Sequence, residues 1–208
     1  MSGTTVRDFP LFPLGTVALP SEIVPLHVFE ERYKAMMAVC LERESEFGIV
    51  WLSDDGLREI GCAVEIAEVL ERLEAGRMNL VTRGTRAFRL IERQDGLPYP
   101  AGLVEFLPDR DERPDPDASD AARTAYADLV ERATDRRPSD AELEELDAYG
   151  MAATVDLGLD AKQGLLDLRS ENGRLRLVAR LFRAALRRME LAGRARARAR
   201  SNGKVRFA

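Results

Sequence analysis

Apolar residues fall in short clusters through the first hundred positions and at helical intervals through the second hundred. Phe9-Pro-Leu-Phe-Pro-Leu14 is an apolar segment punctuated by two prolines. Proline nitrogens cannot donate to a ladder, so the segment predicts an edge strand or an extended crossing. Pro20 and Pro25 bracket another extended piece that ends in Leu26-His27-Val28-Phe29. From about Glu30 to Glu44 the period changes: Tyr33, Met36, Met37, Cys40 and Leu41 recur at three- and four-residue intervals, on one face of a helix. Glu30 and Glu31 suit the positive end of its dipole.

Phe47 to Leu52, closed by Ser53-Asp54-Asp55-Gly56, reads as a buried strand followed by a turn. Ile60 to Leu73 alternates loosely, as a long strand that bends or bulges. Glu74-Ala75-Gly76 predicts a hairpin turn into Arg77–Thr82. Gly84 interrupts before a further strand over Arg86–Glu92, and Tyr99–Leu107 supplies another after the turn at Gly96-Leu97-Pro98. Five or six strands with glycine turns suggest a compact, twisted barrel or sandwich with one inserted helix.

Residues 109–118 break the pattern, with prolines and charges and almost nothing apolar, and are placed as a linker. Beyond it the chain reads helical. Ser119 or Asp120 is the expected cap of a helix carrying Ala122, Tyr126, Leu129, Val130 and Ala133. Ser139 with Glu142 makes a capping box, and Asp160 with Gln163 repeats the signal. A last helix from near Ser170 puts Leu175, Val178, Leu181, Phe182, Ala185 and Met189 on one face and is expected to end at Gly193. The predicted class is α+β: a β-rich domain over 1–108, the linker, a helical bundle over 119–193, and a basic, disordered tail over 194–208.

Composition adds limits. A chain of 208 residues, 45% hydrophobic and 32% charged, buries about 70% of the surface its unfolded form exposes and needs no metal or disulfide to fold. No apolar run approaches the roughly 18 residues of a membrane span. The N-terminal stretch, with Asp8 and two prolines, lacks the uninterrupted apolar core of a signal peptide. A soluble, cytoplasmic protein is expected. Charge is lopsided: residues 174–208 carry eleven arginines, one lysine and one glutamate, net +11, so with −5 overall the first 173 residues carry −16.

The chemistry is sparse. Cys40 and Cys62 have no CxxC spacing and sit in apolar patterns, so they read as buried thiols. His27 is the single histidine, which removes two-histidine metal motifs and leaves any Ser-His-Asp arrangement dependent on that one ring. No phosphate loop, GxGxxG or GxSxG is present, and no cofactor is expected.

Residues 9–33, FPLFPLGTVALPSEIVPLHVFEERY, closely resemble the signature of the Lon N-terminal, or LON substrate-binding, domain family. Later elements continue the match: Phe47-Gly48-Ile49-Val50, Ile60-Gly61-Cys62, Leu80 to Leu90, Pro98-Tyr99, and Leu159 to Leu166. The resemblance spans most of residues 8–190. It implies a PUA-like pseudo-barrel followed by helices, and a non-catalytic domain that binds unfolded or exposed apolar polypeptide segments. Full-length Lon proteases add ATPase and Ser-Lys peptidase modules. These 208 residues contain neither signature, so a stand-alone recognition domain is expected, an adaptor or sensor that works with a separate protease or ATPase.

On this reading Phe9, Phe12, Leu14, Leu26, Phe29, Tyr33 and Trp51 are candidates for a peptide-binding surface, placed between barrel and helices or along the open edge of the Phe9–Leu14 strand. The same residues suit the core of a barrel. Glu30 and Arg32 are either a ligand clamp or an internal ion pair. Arg83 and Arg86 are candidate anion contacts or solvated arginines at a bulge. The alternative function is nucleic-acid binding through a PUA-like fold and the arginine-rich tail, against which the acidic body counts.

Overall fold

Among the described residues, seven strands lie in the first half of the chain: β1 (Thr5–Leu14), β2 (Ile23–Val28), β3 (Phe47–Ser53), β4 (Gly56–Leu57), β5 (Ile60–Arg72), β6 (Met78–Gln94) and β7 (Ala101–Phe106). Helix α1 (Glu31–Arg43) is set between β2 and β3, and α2 (Pro116–Thr134), α3 (Asp140–Glu144), α4 (Ala148–Ala153), α5 (Leu159–Leu166) and α6 (Glu171–Asn202) follow. The structure is a computed structural model describing residues 3–202, with side chains described through residue 195.

β1, β7, β6, β5 and β3 are neighbours in that order, and parallel pairing of β1 with β3 closes the ring. β2 pairs with the first part of β6, from Val28 opposite Met78 to Ile23 opposite Arg83. Inside the ring Phe9, Leu11, Val50, Ala63, Phe88 and Val104 form the core, with Phe9 and Phe88 edge to face at 5.5 Å.

β1 is therefore not the edge strand that its prolines predict; it is flanked by β7 and β3. Backbone N–H groups alternate sides along a strand. The Leu11 N–H donates to the Pro100 carbonyl at 2.8 Å, which puts the Pro13 nitrogen on the β7 side as well. The last β7 pair is Pro10 with Ala101, so Pro13 lies beyond it. The Pro10 nitrogen faces β3, whose pairing starts only at Leu11 with Gly48. Each proline thus faces the side on which no partner needs a donor.

Gly84 does not split β6, which runs unbroken for 17 residues. The register slips there by one residue, Ala63 facing Arg86 and Val64 facing Gly84, so Thr85 is the bulged position. β5 carries two further shifts, as its loose alternation predicted.

Two units divide the chain: the residues up to Glu112 with Tyr149–Glu171, and Arg113–Ala148 with the residues from Asn172 onward. This differs from a single helical subdomain over 119–193. Residues 149–171 join the strand unit because Gln163 Nε2 donates to the Ile60 carbonyl at 3.2 Å and Lys162 pairs with Glu22.

In the second unit Tyr126 and Phe182 pack with ring centroids 5.6 Å apart, and Leu129, Leu143, Val178 and Ala179 are buried. The cap of α2 is Asp115, which accepts from the Ala118 N–H at 3.1 Å with Pro116 following, in place of Ser119 or Asp120. The linker is shorter by these residues. The Ser139–Glu142 capping box is present. Gly158 precedes α5, so Asp160 lies in its first turn and does not cap it. α6 continues past Gly193 to Asn202. One glycine costs a helix interior only about 1 kcal/mol, and the alternating Arg and Ala that follow are strong helix formers. Residues 203–208 of the expected tail lie outside the described residues. No described helix is long and apolar enough to cross a membrane.

Candidate functional site

An open cleft of about 470 Å³ lies within the strand unit. β1 contributes Leu11 to Leu14 as one wall, and the start of α1 contributes Glu30, Arg32 and Tyr33. His27 and Phe29 come from the end of β2, Leu52 and Leu57 from β3 and β4, Arg93 from the end of β6, and Pro100 from the segment joining β6 to β7. The lining is mainly apolar. Phe29 and Leu52 stay 57% and 51% exposed, so two large apolar side chains that could have been buried face solvent in a concave surface.

The α1 end of the cleft is built by the switch from strand to helix. Glu30 is the N-cap residue, in an extended conformation, and makes no side-chain cap bond. Its carboxylate instead accepts from Arg32 Nε at 3.0 Å, while the guanidinium lies 4.6 Å from the Tyr33 ring centroid. Glu30 and Arg32 therefore form the internal pair. Tyr33 in turn packs against Phe12, centroids 4.1 Å apart. Burial pushes the Tyr33 hydroxyl above its ordinary range, and the Arg32 charge partly offsets this.

The β2 end carries an ordered imidazole. Asn79 Nδ2 donates to Glu71 at 3.1 Å, which turns Asn79 Oδ1 to His27 Nδ1 at 2.6 Å. A carboxylate only accepts, so the chain of bonds makes Nδ1 the donor to Asn79 Oδ1. The ring stacks on Phe29 at 5.6 Å.

Of the candidate surface residues, Phe12, Leu14, Phe29 and Tyr33 line this cleft. Phe9 does not; it packs in the barrel core against Phe88 and Phe106. Leu26 sits half-buried opposite Leu80, and Trp51 lies half-buried with the Arg58 guanidinium 5.1 Å from its ring centroid. Sequence reasoning passed over Leu52, Leu57, Arg93 and Pro100. Nothing local marks them, since they meet the other residues only through the pairing of β1 with β3 and β7.

Arg83 and Arg86 are each held by a carboxylate, Glu65 at 2.5 Å and Glu46 at 2.6 Å, and Arg86 also covers the Phe106 ring at 3.9 Å. Neither is an uncommitted anion contact. The cysteines are free thiols, both buried. Burial pushes Cys40 and, far more, Cys62 upward, so neither is a nucleophile at neutral pH. Among the described residues no cluster of three metal-ligating side chains occurs.

The family model for the ATP-dependent protease La (LON) substrate-binding domain matches residues 8–183. Lon protease of Anaeromyxobacter dehalogenans is 24% identical over 190 residues, which is 83% of this chain and 22% of that protein. Lon protease of Paraburkholderia phytofirmans is 29% identical over 119 residues, 52% of this chain and 15% of that protein. The chain thus spans less than a quarter of the length of these curated relatives. A Lon N-terminal domain protein from Xanthomonas campestris superposes with a TM-score of 0.62 at 26% identity, covering 82% of this chain and 95% of that one. The N-terminal domain of a Mycobacterium avium complex Lon protease superposes with a TM-score of 0.63 at 21% identity, covering 86% and 98%; it supports the fold. With its barrel, inserted α1 and following helices matched over most of its length, this chain belongs to the LON substrate-binding domain family.

Proposed function

We propose that this chain recognises exposed apolar segments of other polypeptides through the cleft beside α1 and performs no reaction itself. One observation carries the reading: Phe29 and Leu52 stand more than half exposed in a concave, mainly apolar surface. Burying such side chains against a partner yields roughly 25 cal/mol per Å² of apolar area, the usual driving force for peptide docking. The cleft also holds polar groups that orient a backbone, the His27 ring and the arginines. In the proposed role the chain acts in the cytoplasm as an adaptor or sensor, passing bound segments to a separate protease or ATPase. Strand addition to β1 has no support, since both its sides are paired.

Fluorescence anisotropy with labelled peptides rich in leucine and phenylalanine tests the reading. The expected result is micromolar binding that weakens on the order of tenfold in the double variant Phe29→Ala, Leu52→Ala, because two truncated anchors remove most of the apolar contact. Undiminished binding by that variant, or none by the wild type, rejects it. The nucleic-acid alternative rests on the arginine-rich end alone, whose side chains from residue 196 lie outside the described residues, and nothing in the strand unit favours it.

A further inference from the structure

The cleft contains one charge that the fold does not use. Arg32 is paired with Glu30, but no described carboxylate lies within 4.0 Å of the Arg93 guanidinium, and no hydrogen bond to another described residue engages it. Arg93 is exposed, near the end of β6 opposite Gly102. It lines the apolar cleft and also an adjoining depression of about 240 Å³ formed by residues 93–101 with Arg32, where Asp95 is the acidic member. Counting Glu30, Arg32 and Arg93, the cleft carries a net single positive charge, in a stretch of chain whose overall charge is strongly negative. Arg83, Arg86 and Arg89 on the same strand have carboxylate partners, whereas Arg93, the one of these arginines that lines the cleft, has none.

An apolar cavity with one uncommitted guanidinium at its rim is complementary to a ligand with apolar side chains and one carboxylate. A polypeptide C-terminus places both on a single residue, the carboxylate and the last side chain sharing one Cα. A cleft of about 470 Å³, in the range of small-ligand pockets, holds a short chain end without needing a long segment to be threaded through it. Arg is the side chain suited to this, because its planar fork donates two parallel N–H bonds to a carboxylate. Resting on the recognition reading above, we infer that the cleft takes polypeptide C-termini ending in an apolar residue, with Arg93 holding the terminal carboxylate.

The test uses one apolar peptide, fluorescently labelled at its N-terminus, in three forms: free acid, C-terminal amide, and amide with an internal glutamate. Each is titrated against the wild type, Arg93→Gln and Arg93→Lys. The free acid is expected to bind on the order of tenfold tighter than the amide, the gain of one charge-assisted bidentate contact at an exposed site. Arg93→Gln is expected to erase that preference, so that acid and amide bind it alike, and Arg93→Lys to keep part of it. If acid and amide bind equally, or if the preference survives in Arg93→Gln, the assignment of Arg93 to a chain terminus fails while peptide recognition stands. If the glutamate-bearing amide matches the acid, a side-chain carboxylate is the ligand and the terminal assignment again fails. If none of the three binds, the recognition reading itself is lost.

Discussion

Phe88 occupies space that two glycines leave open on neighbouring strands. A Cβ on Gly48 would lie 2.5 Å from the Phe88 ring and 3.1 Å from the Phe9 ring, with no backbone atom among its near neighbours. A Cβ on Gly61 would lie 2.6 Å from the same ring and also 2.7 Å from the Ile49 carbonyl oxygen. Both Gly48→Ala and Gly61→Ala are expected to destabilise the protein by about 1–3 kcal/mol, the usual cost of overpacking a filled core. The two separate when Phe88→Leu is added. The smaller side chain should relieve much of the Gly48→Ala penalty, because the Phe88 ring makes the two shortest contacts there. It should relieve little of the Gly61→Ala penalty, because a backbone oxygen remains. Double-mutant cycles from urea unfolding measure the difference; equal rescue at both sites would show that Phe88 alone controls them. None of this was legible in the sequence, where Gly48 and Gly61 are only small residues inside apolar runs. Phe9 shows the reverse: its aromatic neighbourhood made it a binding candidate, yet the alternation of β1 turns it inward to Phe88 and Phe106.

Elements were legible where local chemistry specifies them. The face of α1 that carries Tyr33, Met36, Met37 and Cys40 is buried as its spacing predicts, and the capping box at Ser139 was readable from two residues. Elements were misread where a distant strand decides the outcome. The prolines of β1 mark its unpaired sides only once β3 and β7 are in place, and Gly84 resembles a strand break until Leu19 is seen against it. A Cβ there would lie 2.0 Å from the Leu19 carbonyl oxygen, so the glycine is required for close approach of the loop before β2. The capping box makes a prediction at this scale. The Ser139 backbone N–H, then the Arg136 guanidinium and the Ser139 hydroxyl, hold the Glu142 carboxyl down at about 2, against an ordinary value of 4.5. A carboxyl lowered by folding stabilises the folded form above its unfolded value, and the contribution disappears as pH falls through the folded value. The thermal midpoint of wild type should therefore exceed that of Glu142→Gln at pH 5, with the gap closing between pH 4.5 and about 2. The site is exposed, so the effect is small, and high salt should shrink the part that Arg136 supplies. A gap that stays constant with pH would mean that the carboxylate charge plays no part in the cap.

Across the whole molecule, the sequence conveyed the order of the parts but not their contacts. The barrel, the inserted α1 and the helices appear in the expected order, and residues 9–33 carry the family signature in one continuous stretch. The division at a proline-rich linker was reasonable locally, yet the strand unit recovers residues 149–171 from beyond it. A chain of polar contacts explains why. Lys162 on α5 donates to the Val17 carbonyl and pairs with Glu22, both side chains largely buried. The second oxygen of Glu22 accepts the Leu19 N–H at 2.9 Å, and its backbone carbonyl accepts the Gly84 N–H at 2.9 Å. α5 thus secures the loop that Gly84 admits, and that loop leads directly into β2 and the cleft residues His27 and Phe29. A fragment ending at Glu112 keeps every strand but leaves Glu22 without its cation and Ile60 without its Gln163 donor. Stranding a largely buried carboxylate costs several kcal/mol, a large share of the 5–15 kcal/mol by which a domain of ordinary stability stays folded. The fragment 1–112 is therefore expected to unfold at distinctly lower urea than the fragment 1–171, and limited proteolysis should cut it first near residues 15–22. Lys162→Met in the full chain should reproduce the loop cleavage and also lower the urea midpoint, because it strands the same carboxylate while α5 keeps it from water. Equal urea midpoints for the two fragments would mean that the strand unit is complete without α5 and that the Lys162–Glu22 pair is incidental to it.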